Sequence, residues 1–323
     1  MSGSLAGDVA PTVALVGYGE VGRIFAAGLR EAGVATIAAW DLRFVDPARC
    51  DEALAHAAEA GVIACDGPQA LLAQRPGLVI SAVTASQTLA VIDDLLPHLG
   101  PGVTVLDLNS ASPGTKEQAG AQVHATGARY VEAGVMTSVP PHGIRVPMLL
   151  GGPHAAALAP TLAAWGMSVR VASERLGVAS ATKMCRSVMI KGLEALVLES
   201  YATARRYGVE DAMIATLQET FPGIDWERQG SYFFSRVAQH GRRRAEEMRE
   251  VAHTVAEAGF EPWLARAIAA KHDWMADQGA AGRFDDLPSA PGWRDWADRL
   301  PREEGDERGT GNSGDPGGGL SRS

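Results

Sequence analysis

Cysteine is scarce in this chain: three residues, Cys50, Cys65 and Cys185, with no CxxC and no Cys/His spacing. An odd number without a framework excludes a disulfide scaffold, gives no support for a zinc or other metal site, and fits a reducing cytoplasm. Positive charge is also in deficit, with 29 Lys and Arg against 38 Asp and Glu and a net charge of −9. No long basic run compensates, so neither nucleic acid nor an anionic membrane is expected as a partner. The one basic cluster, Arg242-Arg243-Arg244, runs straight into Glu246 and Glu247, as a charged helix does. No segment approaches the ~18 uninterrupted apolar residues of a membrane helix. The start lacks a basic stretch followed by an apolar core. These absences leave a soluble, cytoplasmic protein acting on small molecules.

At 323 residues the chain has room for two domains, on a rough prior of ~100–200 residues each. Short apolar runs at Thr12–Gly17, Ala35–Trp40, Val62–Cys65, Leu78–Val83, Val103–Leu108, Arg129–Val135, Val146–Leu150 and Ser168–Ala172 alternate with helical patterns such as Ala48–Ala60, Ser86–Leu96 and Thr115–Ala125. That alternation is the signature of βαβ units. From Val178 to Tyr207 there is no proline and only Gly192, and Met184, Val188, Leu193, Leu196 and Val197 recur at helical spacing. A helix of that length spans ~45 Å at 1.5 Å per residue, enough to leave one domain and found another. Everything after it reads helical, at Asp211–Thr220, Ser231–Ala258 and Pro262–Asp277. The expected fold is α/β: a Rossmann-type, doubly wound, mostly parallel sheet followed by an all-α C-terminal domain. The expected layout is a tail over 1–10, a dinucleotide-binding domain over 11–175, a helical substrate and dimerisation domain over 176–300, and a disordered Gly/Ser/Glu/Asp-rich tail over 301–323.

The first strand runs into Gly17-Tyr-Gly-Glu-Val-Gly22, a G-x-G-x-x-G turn with a helix after it and Asp41 about twenty residues on. Gly17 allows the tight turn, Gly19 the approach of a pyrophosphate, and Gly22 close helix–strand packing, with the phosphates on the helix N-terminus. Expected cofactor contacts are Gly17, Tyr18, Gly19, Glu20, Val21, Gly22, Asp41 and Arg43, joined by Val83, Thr84 and Ser110 from later strand ends. Asp41 would accept the adenosine ribose hydroxyls and repel a 2′-phosphate, so NAD is expected; Arg43, two positions on, leaves NADP open.

Lys183, Ser187 and Lys191 lie at i, i+4 and i+8 and share one face of the long helix, while Cys185 and Arg186 are expected to point elsewhere. A lysine desolvated beside other positive charge can take the proton of a substrate hydroxyl. The two lysines are ~12 Å apart along the helix, so one serves that purpose and the other holds a distal group. Spacing alone also admits two solvated surface lysines.

Several segments resemble the β-hydroxyacid dehydrogenase family, the relatives of 6-phosphogluconate and 3-hydroxyisobutyrate dehydrogenases. The cofactor turn resembles theirs. Asp107-Leu-Asn-Ser-Ala-Ser-Pro113 is similar to D-x-S-T-x-S-P, Glu132-Ala-Gly-Val-Met-Thr-Ser138 with Val146 to Gly152 to their substrate segment D-A-P-V-S-G-G, and Gly177-Val-Ala-Ser-Ala-Thr-Lys183 to G-x-G-x-x-x-K. The resemblance spans most of Thr12 to Ala276 and implies that Lys183 is the catalytic lysine. There are departures. Met136-Thr137-Ser138 replace S-G-G in the loop that holds a substrate carboxylate, Ser187 replaces an asparagine, and Glu246-Glu247 replace a K-D pair. A carboxylate in that position is expected to repel an acidic substrate tail. Val146-Pro-Met, Lys183 to Gly192 and Arg242 to Met248 resemble a branch of the superfamily with its own type of C-terminal domain.

The expected function is hydride transfer between nicotinamide and a small hydroxy acid or related alcohol or carbonyl compound. Lys183 would be the acid/base, assisted by Ser187, and Ser110, Met136, Thr137, Ser138, Lys191 and His240 would bind substrate. His142 is a further loop candidate that loop exposure explains equally well, and His240 reads more readily as a helix-surface residue than as a substrate contact. Phe221, Trp226, Tyr232, Phe233 and Phe234 read as core or subunit interface. A long helix poorly covered by its own short companions points to a homodimer. An imine reductase on the same fold and a non-catalytic dinucleotide-binding regulator are the alternatives.

Overall fold

The computed structural model describes residues 12–301. The tails expected at 1–10 and 301–323 lie outside the described residues, apart from Pro301. Eight strands form one sheet: β1 (Thr12–Val16), β2 (Thr36–Trp40), β3 (Ile63–Cys65), β4 (Leu78–Ser81), β5 (Thr104–Asp107), β6 (Arg129–Val135), β7 (Met148–Gly151) and β8 (Val169–Ser173). Helices in this half are α1 (Glu20–Glu31), α2 (Cys50–Glu59), α3 (Pro68–Ala73), α4 (Thr88–Leu95), α5 (Pro113–Ala125), the single turn α6 (Val139–His142) and α7 (Ala155–Ala164). The strand order is β3-β2-β1-β4-β5-β6-β7-β8. Strands β1 to β6 pair in parallel, β7 runs antiparallel to β6, and β8 is parallel to β7.

Helices cover both faces, so the strands are apolar on both sides. Along β1, Val13 and Leu15 join one apolar layer with Phe25 and Leu29 of α1, Ala57 of α2 and Leu162 of α7. Ala14 and Val16 join the other, with Leu71 of α3, Leu95 of α4 and Val123 of α5. The chain leaves β1 towards β2 and β3, then returns to β4 on the other side of β1. A crevice opens at that switch point, at the carboxyl ends of the strands.

The rest of the described chain is helical: α8 (Val178–Tyr207), α9 (Glu210–Thr220), α10 (Trp226–Glu257), α11 (Trp263–Ala280) and α12 (Trp293–Asp298). The expected class, a mostly parallel Rossmann-type sheet followed by an all-helical region, is the one found. Helices α3, α7 and α12 are unassigned in the sequence reading; the first and last have six residues each and α7 carries Pro160, so their periodicity is weak. His240 has non-helical dihedrals (φ −134, ψ 16) and kinks α10. The helical half has two apolar clusters. Val197, Tyr201, Trp226, Phe234 and Trp293 build one, and Met184, Ala245, Met248, Val251 and Ile268 the other. Trp226 and Phe234 are thus core, whereas Phe221 and Tyr232 are half exposed, at 50% and 53%. Among the described residues no helix is long and apolar enough to cross a membrane.

Carboxylates join the two halves. Glu132 of β6 is 0% exposed and accepts hydrogen bonds from the N–H groups of Ala179 (3.1 Å) and Ser180 (3.4 Å) and from the Ser180 hydroxyl (2.6 Å). These are donors that the first turn of α8 cannot satisfy itself, and its positive end favours the anion. Reciprocally, α10 supplies Glu250 to the N–H of Ser112 (3.2 Å) and Glu257 to the Ser112 hydroxyl (2.6 Å) and the N–H of Gly114 (3.0 Å), at the start of α5. Replacing Glu132 by Ala strands three donors in a dry site. We expect a loss of about 2–4 kcal/mol, read as a lower urea midpoint at unchanged slope; a midpoint equal to wild type would show that water replaces the carboxylate.

Candidate active site

The turn after β1 is shaped by what it cannot hold. Gly17 has φ +89, and a Cβ on it would lie 2.5 Å from the carbonyl oxygen of Ala82. A Cβ on Gly22 would lie 2.1 Å from the carbonyl oxygen of Gly17, so α1 starts against the strand end. Over Gly19 the surface is open, the nearest atom to a Cβ being Arg43 Nη2 at 3.8 Å. No side chain caps α1. An open backbone and an uncapped, positive helix end fit the pyrophosphate of a dinucleotide.

Two grooves meet at this point. One, of about 360 Å³, runs past Gly17, Gly19, Trp40, Asp41, Leu42, Arg43 and Val91. The other, of about 420 Å³, runs past Gly19, Glu20, Val21, Ser110, Val135 to Pro140, Lys183, Ser187 and Lys191. Gly19, Val83 and Thr84 line both. The first has the place and apolar character of an adenosine site, and the second lies between the sheet edge and α8. Both oxygens of Asp41 are engaged. Oδ1 accepts from the backbone N–H and Nε of Arg43 (2.9 Å each), and Oδ2 from the N–H of Tyr18 (2.6 Å) and from Arg43 Nη2 (3.0 Å). Burial pushes this carboxyl up, but the hydrogen bonds from Arg43 and Tyr18 outweigh it and hold it below its ordinary range.

The expected contact from Tyr18 is corrected. Its side chain is 0% exposed, sits on Phe44 and exchanges a 3.1 Å hydrogen bond with His56. The residue between the first two glycines points back into the core and serves the groove only through its N–H to Asp41. Gly22 likewise acts by packing and lines neither groove.

Behind the second groove lies a dry polar network. Asp107 (0% exposed) pairs with Lys116 (1% exposed), Nζ to Oδ1 at 2.8 Å. Asp107 also accepts from Tyr130 Oη (2.5 Å) and the N–H of Asn109 (2.8 Å). Asn109 in turn accepts from the N–H of Val83 (2.8 Å) and donates to Ser81 Oγ (3.0 Å). The network holds Val83 by its N–H and anchors Asn109, the neighbour of Ser110, at the strand ends that line the groove. Burial and the nearby charge of Asp107 drive the Tyr130 hydroxyl well above its usual value.

Lys183 Nζ donates to Ser110 Oγ at 2.5 Å. Burial lowers its pKa to about 8; Glu247 opposes the shift, while Lys191, Lys116 and Arg243 add to it. Ser187 does not touch Lys183. Its hydroxyl accepts from Lys191 Nζ at 3.3 Å, because on α8 the next residue of the stripe turns back to it. Lys191 is ion-paired with Glu247 at 2.8 Å, and Arg243 pairs with the same carboxylate at 2.7 Å. Burial pushes Glu247 up, but Lys191, Arg243 and Lys183 prevail and hold it at about 2. The expectation that Glu246-Glu247 repel an acidic substrate is therefore corrected for Glu247, which is spent on two cations. Deeper still, Glu194 accepts from Arg244 Nε (2.7 Å). Behind that pair His272 is held at about 3 by burial and by Arg244 and Lys191, so it stays neutral.

Met136, Thr137, Ser138, Ser110, Lys183, Ser187 and Lys191 thus share one wall-to-wall cleft. His240 does not line it; burial, then Arg236, Arg243 and Arg244, lower its pKa, with Glu20 opposing. His142 is exposed on α6 and also lies outside the lining. Arg186 corrects the sequence reading in the opposite sense. Placed off the lysine face, it still lines the cleft, its long side chain reaching round to donate to the Met136 carbonyl at 3.2 Å. Arg236, unassigned from sequence, donates to Ser138 Oγ at 3.1 Å. Its one signal was position: seven residues before Arg243, on the same face of α10.

Residues 12–172 match the family described as the NAD binding domain of 6-phosphogluconate dehydrogenase, and residues 204–275 match a domain of unknown function, DUF1932. A conserved hypothetical protein from Sinorhizobium meliloti 1021 is 38% identical, with 91% of this chain and 98% of that one covered and a TM-score of 0.74. The chain belongs to the 6-phosphogluconate dehydrogenase-like superfamily, with a distinct C-terminal domain. MTH1747, described as a conserved protein of unknown function with structural similarity to 3-hydroxyacid dehydrogenases, is 28% identical over 84% of this chain and 99% of that one, with a TM-score of 0.66. A 3-hydroxyisobutyrate dehydrogenase from Mycobacterium tuberculosis, at 18% identity, 84% and 94% coverage and a TM-score of 0.65, shares the fold. A dinucleotide-binding oxidoreductase fold is thereby established for this 6-phosphogluconate dehydrogenase-like chain.

In this superfamily member the Asp107–Lys116 pair is a sensitive point. Asp107→Ala leaves a buried ammonium without its counterion, and we expect a loss of about 3–5 kcal/mol. The double variant Asp107→Ala/Lys116→Met should recover most of it. Urea denaturation of the three proteins decides; a double variant no more stable than the single one would mean that the pair is not the source.

Proposed function

We propose that this chain is an NAD(P)-dependent dehydrogenase or reductase of the β-hydroxyacid dehydrogenase type. It moves a hydride between nicotinamide and the carbinol or carbonyl carbon of a small hydroxy acid or related compound. In this reading residues 11–175 hold the dinucleotide, residues 176–300 complete the substrate cleft and pair two copies, and the protein works in the cytoplasm. The observation that carries it is Lys183: an amine at about pKa 8, held by Ser110 in the groove that adjoins the glycine turn. Gly17, Gly19, Glu20, Val21, Val83, Thr84 and Ser110 would hold the dinucleotide, which when bound supplies the hydride acceptor or donor. Exposed Met189 and Leu196 on α8, each 64% accessible, support a homodimer, whose mass sedimentation of the full chain measures.

In oxidation, neutral Lys183 takes the hydroxyl proton onto Nζ as the carbinol C–H bond breaks; in reduction the proton returns from Nζ to the carbonyl oxygen. Ser110 accepts an N–H of the amine and aims its lone pair into the cleft. Ser187 acts on Lys191 rather than on Lys183, as an orienting group for the distal end. The pH dependence follows from the sign of this step. Below about 8 the amine is protonated and oxidation fails for want of a base. Oxidative kcat/KM should therefore rise with pH and level off above that value, and reductive kcat/KM should fall across the same range.

Nicotinamide absorbance would be followed with 3-hydroxy acids, hydroxy-amino acids and cyclic imines. Lys183→Ala should lower turnover of an alcohol or carbonyl compound by about 10²- to 10⁴-fold at unchanged dinucleotide affinity. Turnover that survives would move the assignment to imine reduction, the reading that Glu246, an exposed carboxylate on the cleft wall, favours. Dinucleotide binding without turnover of any compound would favour a regulator. NAD is the proposed cofactor, because Asp41 lines the first groove and a carboxylate there would repel a 2′-phosphate; Arg43, beside it, admits NADP. Asp41→Ala frees Arg43 for a phosphate and should tilt kcat/KM towards NADP by about tenfold or more; an unmoved ratio would refute Asp41 as the discriminating group.

A further inference from the structure

Six cations line the cleft: Lys183, Arg186, Lys191, Arg236, Arg243 and Arg244. Three have carboxylate partners, Lys191 and Arg243 in Glu247 and Arg244 in Glu194, and Lys183 is held by Ser110. The remaining two, Arg186 of α8 and Arg236 of α10, form no ion pair among the described residues. Both reach the 136–138 loop, Arg186 at the Met136 carbonyl (3.2 Å) and Arg236 at the Ser138 hydroxyl (3.1 Å). Arg236 Nε is moreover buried with no acceptor. A buried donor left without a partner is costly, and a guanidinium fork matches a carboxylate through two parallel hydrogen bonds. Met136 offers no side-chain donor to the cleft, and the two arginines add charged donors beside the hydroxyls of Thr137 and Ser138.

We propose that Arg186 and Arg236 form a clamp for a carboxylate of the substrate, fixing it at the 136–138 loop while the hydroxyl carbon faces Lys183. The substrate class is thereby an acid, not a neutral alcohol or an amine. The clamp rests on the oxidoreductase reading for its purpose, but not for its test. The same guanidinium chemistry would also suit the pyrophosphate of the dinucleotide, since Gly19 and Glu20 line the same cleft. The experiment separates the two sources.

Calorimetry would measure binding of 3-hydroxypropionate, 3-hydroxybutyrate and malonate, each against its amide, to the full chain saturated with NAD. The acids should bind and the amides should bind more weakly. Arg236→Gln and Arg186→Gln should each weaken the acids by about ten- to a hundredfold, the loss of one charge-assisted hydrogen bond. Arg236→Lys should recover part of the loss. NAD affinity, titrated separately, should stay within about twofold, on the small effect expected of groups that do not contact a ligand. Three results would overturn the clamp: acids binding no better than their amides, acid binding unchanged in both variants, or NAD affinity falling in step with acid affinity, which would give the arginines to the pyrophosphate. Because binding is read without turnover, an absent hydride transfer counts against the oxidoreductase reading alone. Turnover indifferent to both substitutions counts against the clamp alone.

Discussion

Glu132 has no solvent around it, and the donors that surround it belong to the first turn of α8. A carboxylate in a dry site must be fully hydrogen-bonded or it becomes a liability. That requirement fixes where α8 begins, how far it stands from β6 and which way round it faces. The lysine stripe inherits its aim from this contact, since Lys183 sits one turn beyond the residues that Glu132 grips. Glu250 and Glu257 repeat the device from the other side on α5. Each half thus finishes a helix end of the other, and the cleft between them has walls whose spacing is set by hydrogen bonds rather than by apolar contact alone.

Within the cleft, charge is arranged by what each group is bonded to and not by its sign. Glu247 lies in the cleft beside three cations and is consumed by two of them. Asp41 likewise has all its near donors in Tyr18 and Arg43. Counting charges along the chain would assign both carboxylates to a ligand. Pairing gives Glu247 to the scaffold, sets the direction of Asp41 through Arg43, and leaves Lys183 and two arginines as the cleft cations with no carboxylate partner among the described residues.

The parts of the molecule legible in sequence are those with a local cause. The glycine turn is dictated by sterics within a few residues. The strands announce themselves as apolar runs, and α8, free of proline and with glycine at both flanks, has the expected limits Val178–Tyr207. Tyr18 was misread because a motif says which residues make a turn, not which way the intervening side chain points. Ser187 was given to Lys183 although a serine at i+4 serves either neighbour, and the choice depends on Ser110, 73 residues away. Arg236 carries only the weak signal of its spacing to Arg243, and the Asp107–Lys116–Tyr130 network carries none, since these partners come together only once the sheet and α10 have been built.

The bend at His240 lies between two separate apolar clusters strung along α8, α10 and α11, one rich in tryptophan, the other next to the lysine stripe. Helices that cross such a division can loosen at one end while remaining packed at the other. The tryptophan side of the bend is not remote from the cleft, because Tyr232 and Arg236 line the cleft from the same stretch of α10 whose Phe234 and Val237 pack in that cluster. A loosening there would shift one wall of the cleft while the lysine stripe stayed where it is.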